Sequence, residues 1–309
     1  MKQNDFYECY DERGEKQSIK KILVTFCILV VAFIIFQYVI DLPPDVRRIN
    51  SNGISINGNV NAAYYGITSN QKAKYGISWD YDPCEDDLGD LVGIVWNWNP
   101  LCYQGFNGCK VYSYAKCPEK ETIRVVKTPS SYYFICCEEL IVDVNVGRTS
   151  NVLLSAYKLP ESLEKIEVLT LNNEYTEITD KNVNESILKV LSGKINIGEE
   201  KKNRRHAEMW YDTYGNDDMY FDEKEGRLML DHYSIDPTNY LQESREVYDK
   251  AYALLNEGSK KFAITTKQGF TLNINYLPAA RLFQCENAFY NLSDSDVEKL
   301  NHLIRELNE

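Results

Sequence analysis

The stretch "LEKIEVLTLNNEYTEITDKNVNESILKVLSGK", Leu163 to Lys194, predicts the unit from which the second half of this chain is built. Its first residues alternate apolar and polar side chains, as a half-buried strand does, and an Asn-Asn pair then reverses the chain into a second strand. A helix is predicted to begin near Thr179 and to end at Gly193, since glycine commonly closes helices. The stretch is therefore a strand–strand–helix segment.

The last 41 residues, "GFTLNINYLPAARLFQCENAFYNLSDSDVEKLNHLIRELNE", repeat this layout from Gly269 onwards. The matched residues are Tyr175 with Tyr290, Ile178 with Leu292, Thr179 with Ser293, Asp180 with Asp294, and Val183 with Val297. Internal duplication explains the matches, although convergent capping chemistry would give about half of them. Ser293 can accept a hydrogen bond from the N–H of Asp296, so the acids near it are interpreted as helix caps and not as catalysts.

Between the two segments, "MYFDEKEGRLML" predicts a hairpin, and an amphipathic pattern predicts a helix that ends at Gly258. The apolar face of that helix consists of Leu241, Tyr248, Ala251, Tyr252 and Leu255. We interpret its tyrosines as core packing in preference to a ligand platform. The basic cluster "KKNRR" at 201–205 is interpreted as a solvated loop.

The sequence before residue 150 consists of short aromatic and β-branched runs separated by turn residues, which favours a mostly β region. The predicted fold class is α+β: an N-terminal transmembrane helix, a mostly β cysteine-rich region, and an α+β region with the two strand–strand–helix segments. The predicted parts are a cytosolic tail at 1–21, a transmembrane signal anchor at 22–40, a stalk or the start of the β region at 41–78, a β-rich cysteine-rich domain at 79–150, and an α+β domain at 151–309.

The predicted anchor, Ile22 to Ile40, is nineteen residues without a charge. At about 1.5 Å per residue it would span roughly 28 Å, one bilayer crossing, and no small-x-small site for signal cleavage follows it. Four basic residues shortly before the run and two after it predict a cytosolic N-terminus and an extracytoplasmic main part. The predicted partners are the lipid bilayer, through residues 22–40, and an envelope or surface protein.

Seven cysteines follow the predicted anchor, which favours structural disulfides over reduced buried thiols and over a metal site. No C-x2-C spacing supports zinc. The candidates for bridges are Cys84, Cys102, Cys109, Cys117, Cys136 and Cys137. The adjacent Cys136 and Cys137 should have different partners, because neighbours on a strand point to opposite faces. Cys285 is predicted to be a free, buried thiol.

The net charge of −12 makes nucleic acid an unfavourable partner. The most acidic stretch, "DYDPCEDDLGD" at 80–90, surrounds Cys84 with six carboxylates. We interpret it as a solvated loop held by a disulfide at Cys84, in preference to a cation site or a catalytic acid pair.

Catalytic and metal motifs are weak. Asp212, Asn216 and Glu223 fit part of a calcium loop, but the glycine at the sixth position is missing. No G-x-S-x-G elbow and no P-loop occurs, and no cofactor is predicted. The predicted function is a membrane-anchored extracytoplasmic binding or regulatory module. The alternative is an anchored hydrolase that uses the region from His206 to Asp236, with His206, Asp212, Asp231 and His232 as its catalytic candidates.

Overall fold

The structure is a computed structural model that describes residues 23–31, 46–47, 54–56, 61–96, 109–169, 174–215, 218–231 and 240–306. The chain divides into two compact units, Met1–Asp45 and Val46–Glu309. The second unit is an α+β fold with mixed sheets, because one pair of strands is parallel and the others are antiparallel.

In the first unit the structure describes one helix, α1, at residues 23–31. The nine described residues of this helix rise roughly 14 Å at about 1.5 Å per residue. Among the described residues no helix is long and apolar enough to cross a membrane. This finding corrects the prediction of a transmembrane helix at 22–40. The rest of that stretch and the tail at 1–21 lie outside the described residues.

The first part of the second unit forms an eight-stranded sheet with the strand order β2-β1-β4-β5-β6-β7-β3-β8. Its strands are β1 (Val46–Arg47), β2 (Ile54–Ile56), β3 (Asn61–Gly66), β4 (Leu88–Trp96), β5 (Lys110–Tyr114), β6 (Ile123–Lys127), β7 (Tyr132–Cys136) and β8 (Leu140–Ile141), and helix α2 (Ser69–Lys74) follows β3. Strand β3 carries the buried residues Ala62, Ala63 and Tyr64, so this part of 41–78 belongs to the β region and not to a stalk.

The second part forms a six-stranded sheet with the order β10-β9-β13-β14-β15-β16 and a separate hairpin, β11–β12. These strands are β9 (Leu163–Leu169), β10 (Tyr175–Glu177), β11 (Met219–Asp222), β12 (Arg227–Leu230), β13 (Lys260–Thr266), β14 (Thr271–Leu277), β15 (Leu282–Cys285) and β16 (Ala288–Asn291). The helices are α3 (Asn151–Ala156), α4 (Lys181–Leu191), α5 (Gly198–Tyr214), α6 (Tyr240–Leu255) and α7 (Asp294–Glu306).

The two strand–strand–helix segments lie at opposite edges of the six-stranded sheet: β9–β10–α4 at one edge and β15–β16–α7 at the other. Helices α4 and α7 contact each other. Ser293 Oγ accepts from the N–H of Asp296 at 3.2 Å, which confirms the predicted cap. In the first segment Asp180, and not Thr179, caps the helix, with Oδ1 2.7 Å from the N of Asn182.

The residue matches between the segments need one correction. Ile178 N–H donates to Ile166 O and Leu292 N–H donates to Arg281 O, each at 2.8 Å, so Ile178 and Leu292 hold equivalent places 114 residues apart. On this count Tyr290 corresponds to Thr176 and not to Tyr175. A common origin of the two segments stays a prediction.

One hydrophobic cluster takes residues from both sides of residue 150. Val111 and Ile135 from the eight-stranded sheet belong to it, together with Ile166, Ile264 and Leu300 from the second part. All five are at most 1% exposed, so the burial of apolar surface that stabilises this fold is shared between the two sheets. The predicted domain boundary near residue 150 stays a prediction.

The region between the segments differs from the predictions in two places. The cluster at 201–205 lies inside helix α5 and is not a loop. On α6, Ala251 is buried as predicted, but Tyr248 is 48% exposed and Tyr252 is 70% exposed, so the interpretation of these tyrosines as core residues is wrong. The face that α6 buries is made by Val247, Ala251 and Leu255.

The predicted disulfides are also wrong for the described cysteines. Cys84, Cys109, Cys117, Cys136 and Cys137 are all free thiols, and Cys102 lies outside the described residues. The two adjacent cysteines show the reason, because each thiol contacts a group that is not another cysteine. The Sγ of Cys136 lies 3.9 Å from the hydroxyl of Tyr75, whereas the Sγ of Cys137 donates to the backbone O of Glu139 at 3.0 Å. Cys285 is free and buried, as predicted.

Candidate binding cleft

The histidine region predicted for catalysis centres on α5. His206 Nε2 lies 2.7 Å from the backbone O of Ala251, and since a carbonyl only accepts, this nitrogen carries the proton. Burial lowers the pKa of His206, so its ring is neutral at pH 7. Asp212 is exposed on the same helix, roughly 240° around the axis from His206 at about 100° per residue. Half-buried Asp231 follows β12, and His232 lies outside the described residues.

The calcium candidates do not form a loop. Asp212 lies on α5, whereas Glu223 lies in the β11–β12 turn, where both its oxygens accept from Arg204 at 3.0 and 2.9 Å. Asn216 lies outside the described residues. Within the described ranges no group of three or more His, Cys, Asp or Glu side chains could hold a metal ion.

The acidic stretch at 80–90 is held by one of its own carboxylates. Asp87 is fully buried, and its Oδ2 accepts from the Tyr81 hydroxyl at 2.6 Å and from the Cys84 N–H at 2.9 Å. Lys116 Nζ lies 3.1 Å from Oδ1, an ion pair without the direction of a hydrogen bond. Burial alone would raise the pKa of Asp87, but these donors and the charge of Lys116 outweigh it and hold that pKa below its ordinary value. Cys84 is exposed and unbridged.

A cleft of about 1130 Å³ opens between α3, α4 and the adjoining ends of β9 and β10. Its volume lies just above the range of about 300–1,000 Å³ that is typical of small-molecule sites. Apart from Asn184, the buried side chains that line it are apolar, namely Leu154, Leu159, Ile178 and Leu188. These residues come from α3, the loop after it, the end of β10 and α4, so the cleft exists only because the strand–strand–helix segment packs against α3.

Asn184 gives the cleft a polar group among these apolar residues. It lines the cleft, is only 8% exposed, and donates from Nδ2 to the backbone O of Ile178 at 3.0 Å. Its Oδ1 is buried and accepts no hydrogen bond from any residue that the structure describes. A buried acceptor without a donor destabilises a protein by about 1–3 kcal/mol, so a ligand N–H or O–H that reached Oδ1 would recover that free energy.

The rim of the cleft carries charges of both signs. Lys165 pairs with Glu167 at 2.8 Å, and Glu164 pairs with Lys120 at 2.7 Å. The rim side chains for which the described residues offer no ion-pair partner are Glu161, Glu177, Glu185, Lys181, Lys189 and Lys267. The rim can therefore meet a ligand that carries both charges.

Sequence reasoning missed the cleft. Asn184 stands inside an amphipathic helix at a position that faces the core, and a polar residue there is the one local signal that could have drawn attention to it. The other lining residues read as ordinary strand and helix residues. Comparisons with protein-family models, with curated proteins and with solved structures found no match to this chain.

Proposed function

We propose that this chain is a binding module whose ligand occupies the cleft between α3 and α4. The observation that carries the proposal is the buried Oδ1 of Asn184, an acceptor without a donor among apolar side chains in a cleft of ligand size. Buried polar atoms are nearly always satisfied, and one that lines a cleft can be satisfied by a water, an ion or a ligand that enters it. The ligand class is a compound with an aliphatic part for the leucines and an N–H or O–H donor for Asn184.

The hydrolase alternative has less support. His206 is neutral and half-buried, its Nε2 is hydrogen-bonded to a backbone carbonyl, and no described hydroxyl or thiol forms the hydrogen bond with it that a nucleophile–base pair requires. A double substitution, His206→Gln with His232→Gln, should leave ligand binding unchanged and should remove no turnover in a hydrolase screen. If the wild-type chain hydrolysed a substrate and the folded double variant did not, a hydrolase would replace the binding module as the proposed function.

A test of the cleft uses ligand-observed NMR with a library of small aliphatic amides. In the variant Ser155→Trp an indole would fill the cleft, because Ser155 is an exposed lining residue of α3. We expect amides that bind the wild-type chain to lose binding to this variant. The matched control is Val152→Trp on the same helix, where Val152 is exposed but does not line the cleft. Equal binding by both variants, or no binding amide at all, would contradict the proposal.

The location of the chain is a separate proposal from sequence. The bias of basic residues around 22–40 has this meaning only for a chain that crosses a membrane there, so the extracytoplasmic location, with an envelope or surface protein as partner, is proposed from the sequence alone. A membrane-impermeant protease added to intact cells should then digest residues 46–309. Full protection of these residues would contradict the location and leave the cleft proposal standing.

A further inference from the structure

The two outer edges of the six-stranded sheet differ in what covers them. At β16, residues 195–197 of the chain run antiparallel to the strand, with Asn196 opposite Tyr290. Ile197 N–H donates to Phe289 O at 2.8 Å, and Asn291 N–H donates to Ile195 O at 3.0 Å. The side chain of Asn196 completes the pairing, because its Oδ1 accepts from the N–H of Phe289 at 3.1 Å.

At the opposite edge, β10 pairs with β9 only, and no described segment covers its outer side. Ile178 directs its N–H inward to β9, and hydrogen-bonding directions alternate along a strand, so Glu177 and Tyr175 direct theirs outward. Counted 114 residues apart, Tyr175 and Glu177 hold the places of Phe289 and Asn291. Residues 195–197 form hydrogen bonds with the outward backbone groups of β16. The equivalent groups of β10 have no described partner.

We infer that the outer edge of β10 binds an extended peptide segment in antiparallel pairing, as β16 binds residues 195–197, with the N-terminal side of that peptide entering the cleft. This inference rests on the proposed function and names its ligand class. Addition of a strand to a free sheet edge is a recurring mode of peptide recognition, in which backbone hydrogen bonds give affinity and pockets give selectivity.

The direction of the peptide follows from the geometry. Glu177 ends β10, and Ile178 and Thr179 after it line the cleft. In antiparallel pairing the N-terminal residues of the peptide lie beside the C-terminal end of β10, next to that cleft. The peptide residue opposite Glu177 corresponds to Ile195, so the residue before it lies at the cleft and can reach Asn184.

The chemistry of the peptide follows from the covered edge and from the rim. On the β16 side the residue before the segment is Lys194, whose Nζ lies 2.7 Å from Asp296 Oδ2. Counted 114 residues apart, Asn182 holds the place of Asp296, and the rim beside it carries Glu177 and Glu185 as well as Lys181 and Lys189. The net charge of −12 also favours a basic partner. The pattern is therefore basic, apolar, polar, apolar, as in Lys194-Ile195-Asn196-Ile197.

The experiment adds a fluorescein-labelled peptide with the sequence of residues 192–199, SGKINIGE, to the full chain and measures anisotropy. The variant Glu177→Pro removes the outward N–H of β10, and proline is tolerated on an edge strand where that N–H faces solvent. The matched control, Glu177→Ala, loses the carboxylate but keeps the N–H. We expect Glu177→Pro to weaken binding about tenfold or more, because the complex loses a backbone hydrogen bond. Glu177→Ala should weaken binding by about threefold or less, because it removes only an exposed charge.

A peptide N-methylated at the position of Ile197 tests the same pairing without changing the protein. It should bind about tenfold more weakly, since it lacks the N–H that pairs with the strand. If Glu177→Pro does not unfold cooperatively, whereas the wild type does, the N-methylated peptide alone tests the pairing.

Three outcomes would overturn the inference. If Ser155→Trp abolishes binding but Glu177→Pro and N-methylation do not change it, the peptide occupies the cleft without pairing, and only the proposed function stands. If no peptide binds at millimolar concentration, the inference that β10 binds a peptide is wrong. The amide screen then still tests the cleft. A concentration-dependent dimer in sedimentation that Glu177→Pro abolishes would assign this edge to a second copy of the chain.

Discussion

Asp87 is the residue that organises the most acidic part of the sequence. Its neighbours Asp86 and Glu85 are exposed and solvate the loop, while Asp87 turns inward and accepts from Tyr81 and from the backbone of Cys84. A buried charge is tolerated only where it is paired and hydrogen-bonded, and Lys116 supplies the opposite charge. The sequence shows six carboxylates, but only burial distinguishes the one that holds the loop.

The substitution Asp87→Asn should lower the free energy of unfolding by about 2 kcal/mol at pH 7, because charge-assisted hydrogen bonds become neutral ones and the amide faces Lys116. Asp86→Asn is the matched control and should change it by about 0.5 kcal/mol or less. Urea denaturation measures both. The pKa of Asp87 is lowered in the folded chain, so its contribution is present above the unfolded pKa of about 3.9 and is lost as pH falls through the folded pKa. A difference between the wild type and Asp87→Asn that did not shrink as the pH falls below about 3.9 would contradict this account.

At the scale of elements, α5 shows why the basic cluster at 201–205 lies in a helix. Glu199 and Glu200 stand in its first turn, where the helix dipole favours negative charge. The basic residues that follow reach out to other elements. Arg204 pairs with Glu223 in the β11–β12 turn, and Arg205 donates to Asn291 Oδ1 at 2.7 Å. The cluster therefore joins α5 to neighbouring elements, and local sequence could not reveal those partners.

The packing of α5 should depend on Trp210 more than on its charges. Trp210 is 1% exposed and packs with Met219, Leu230 and Val247. Trp210→Ala should lower the free energy of unfolding by about 3–5 kcal/mol, since it leaves a large cavity. Arg204→Gln should lower it by about 1 kcal/mol or less, because the pair with Glu223 is exposed and solvent screens it. Guanidinium denaturation checks the order, and a larger loss at Arg204 would show that ion pairs hold α5.

At the scale of the whole molecule, the cysteines are distributed through the hydrophobic clusters and do not bridge them. Cys109, Cys137 and Cys285 belong to the cluster shared by both sheets, where each thiol packs as a small apolar side chain. Burial raises the pKa of Cys137 and Cys285 to about 12, which keeps both protonated and unreactive.

Alkylation of the native chain with iodoacetamide at pH 8 should therefore label Cys84 and spare Cys137 and Cys285. Mass spectrometry of the digested protein reports each site, and labelling in guanidinium, where all three should react, is the control. A reductant should leave the unfolding temperature unchanged, because no described cysteine is bridged. A lower unfolding temperature in reductant, together with protection of Cys84, would restore the disulfide interpretation.

The sequence by itself determined those features that depend on neighbours along the chain. The period of apolar residues and the capping residues predicted the first strand–strand–helix segment, the β11–β12 hairpin and the cap at Ser293, and the structure has them. The second segment has one strand more than predicted, since β14, β15 and β16 precede α7. These signals are local, because a strand alternates with period two and a helix with period 3.6 whatever lies beyond them. Composition, by contrast, misled: a long apolar run and a group of cysteines each predicted a feature that the described residues lack.

Only the tertiary structure decided which polar groups are buried and which sheet edge is open. Asn184 became an unsatisfied acceptor because α3 packs beside α4, and α3 lies 28 or more residues earlier in the chain. Likewise β10 and β16 each precede a capped helix, yet residues 195–197 pair with β16 and no described segment pairs with the outer side of β10. Burial and pairing depend on the free energy of the whole packed chain, so contacts between distant segments fix them and no local pattern encodes them.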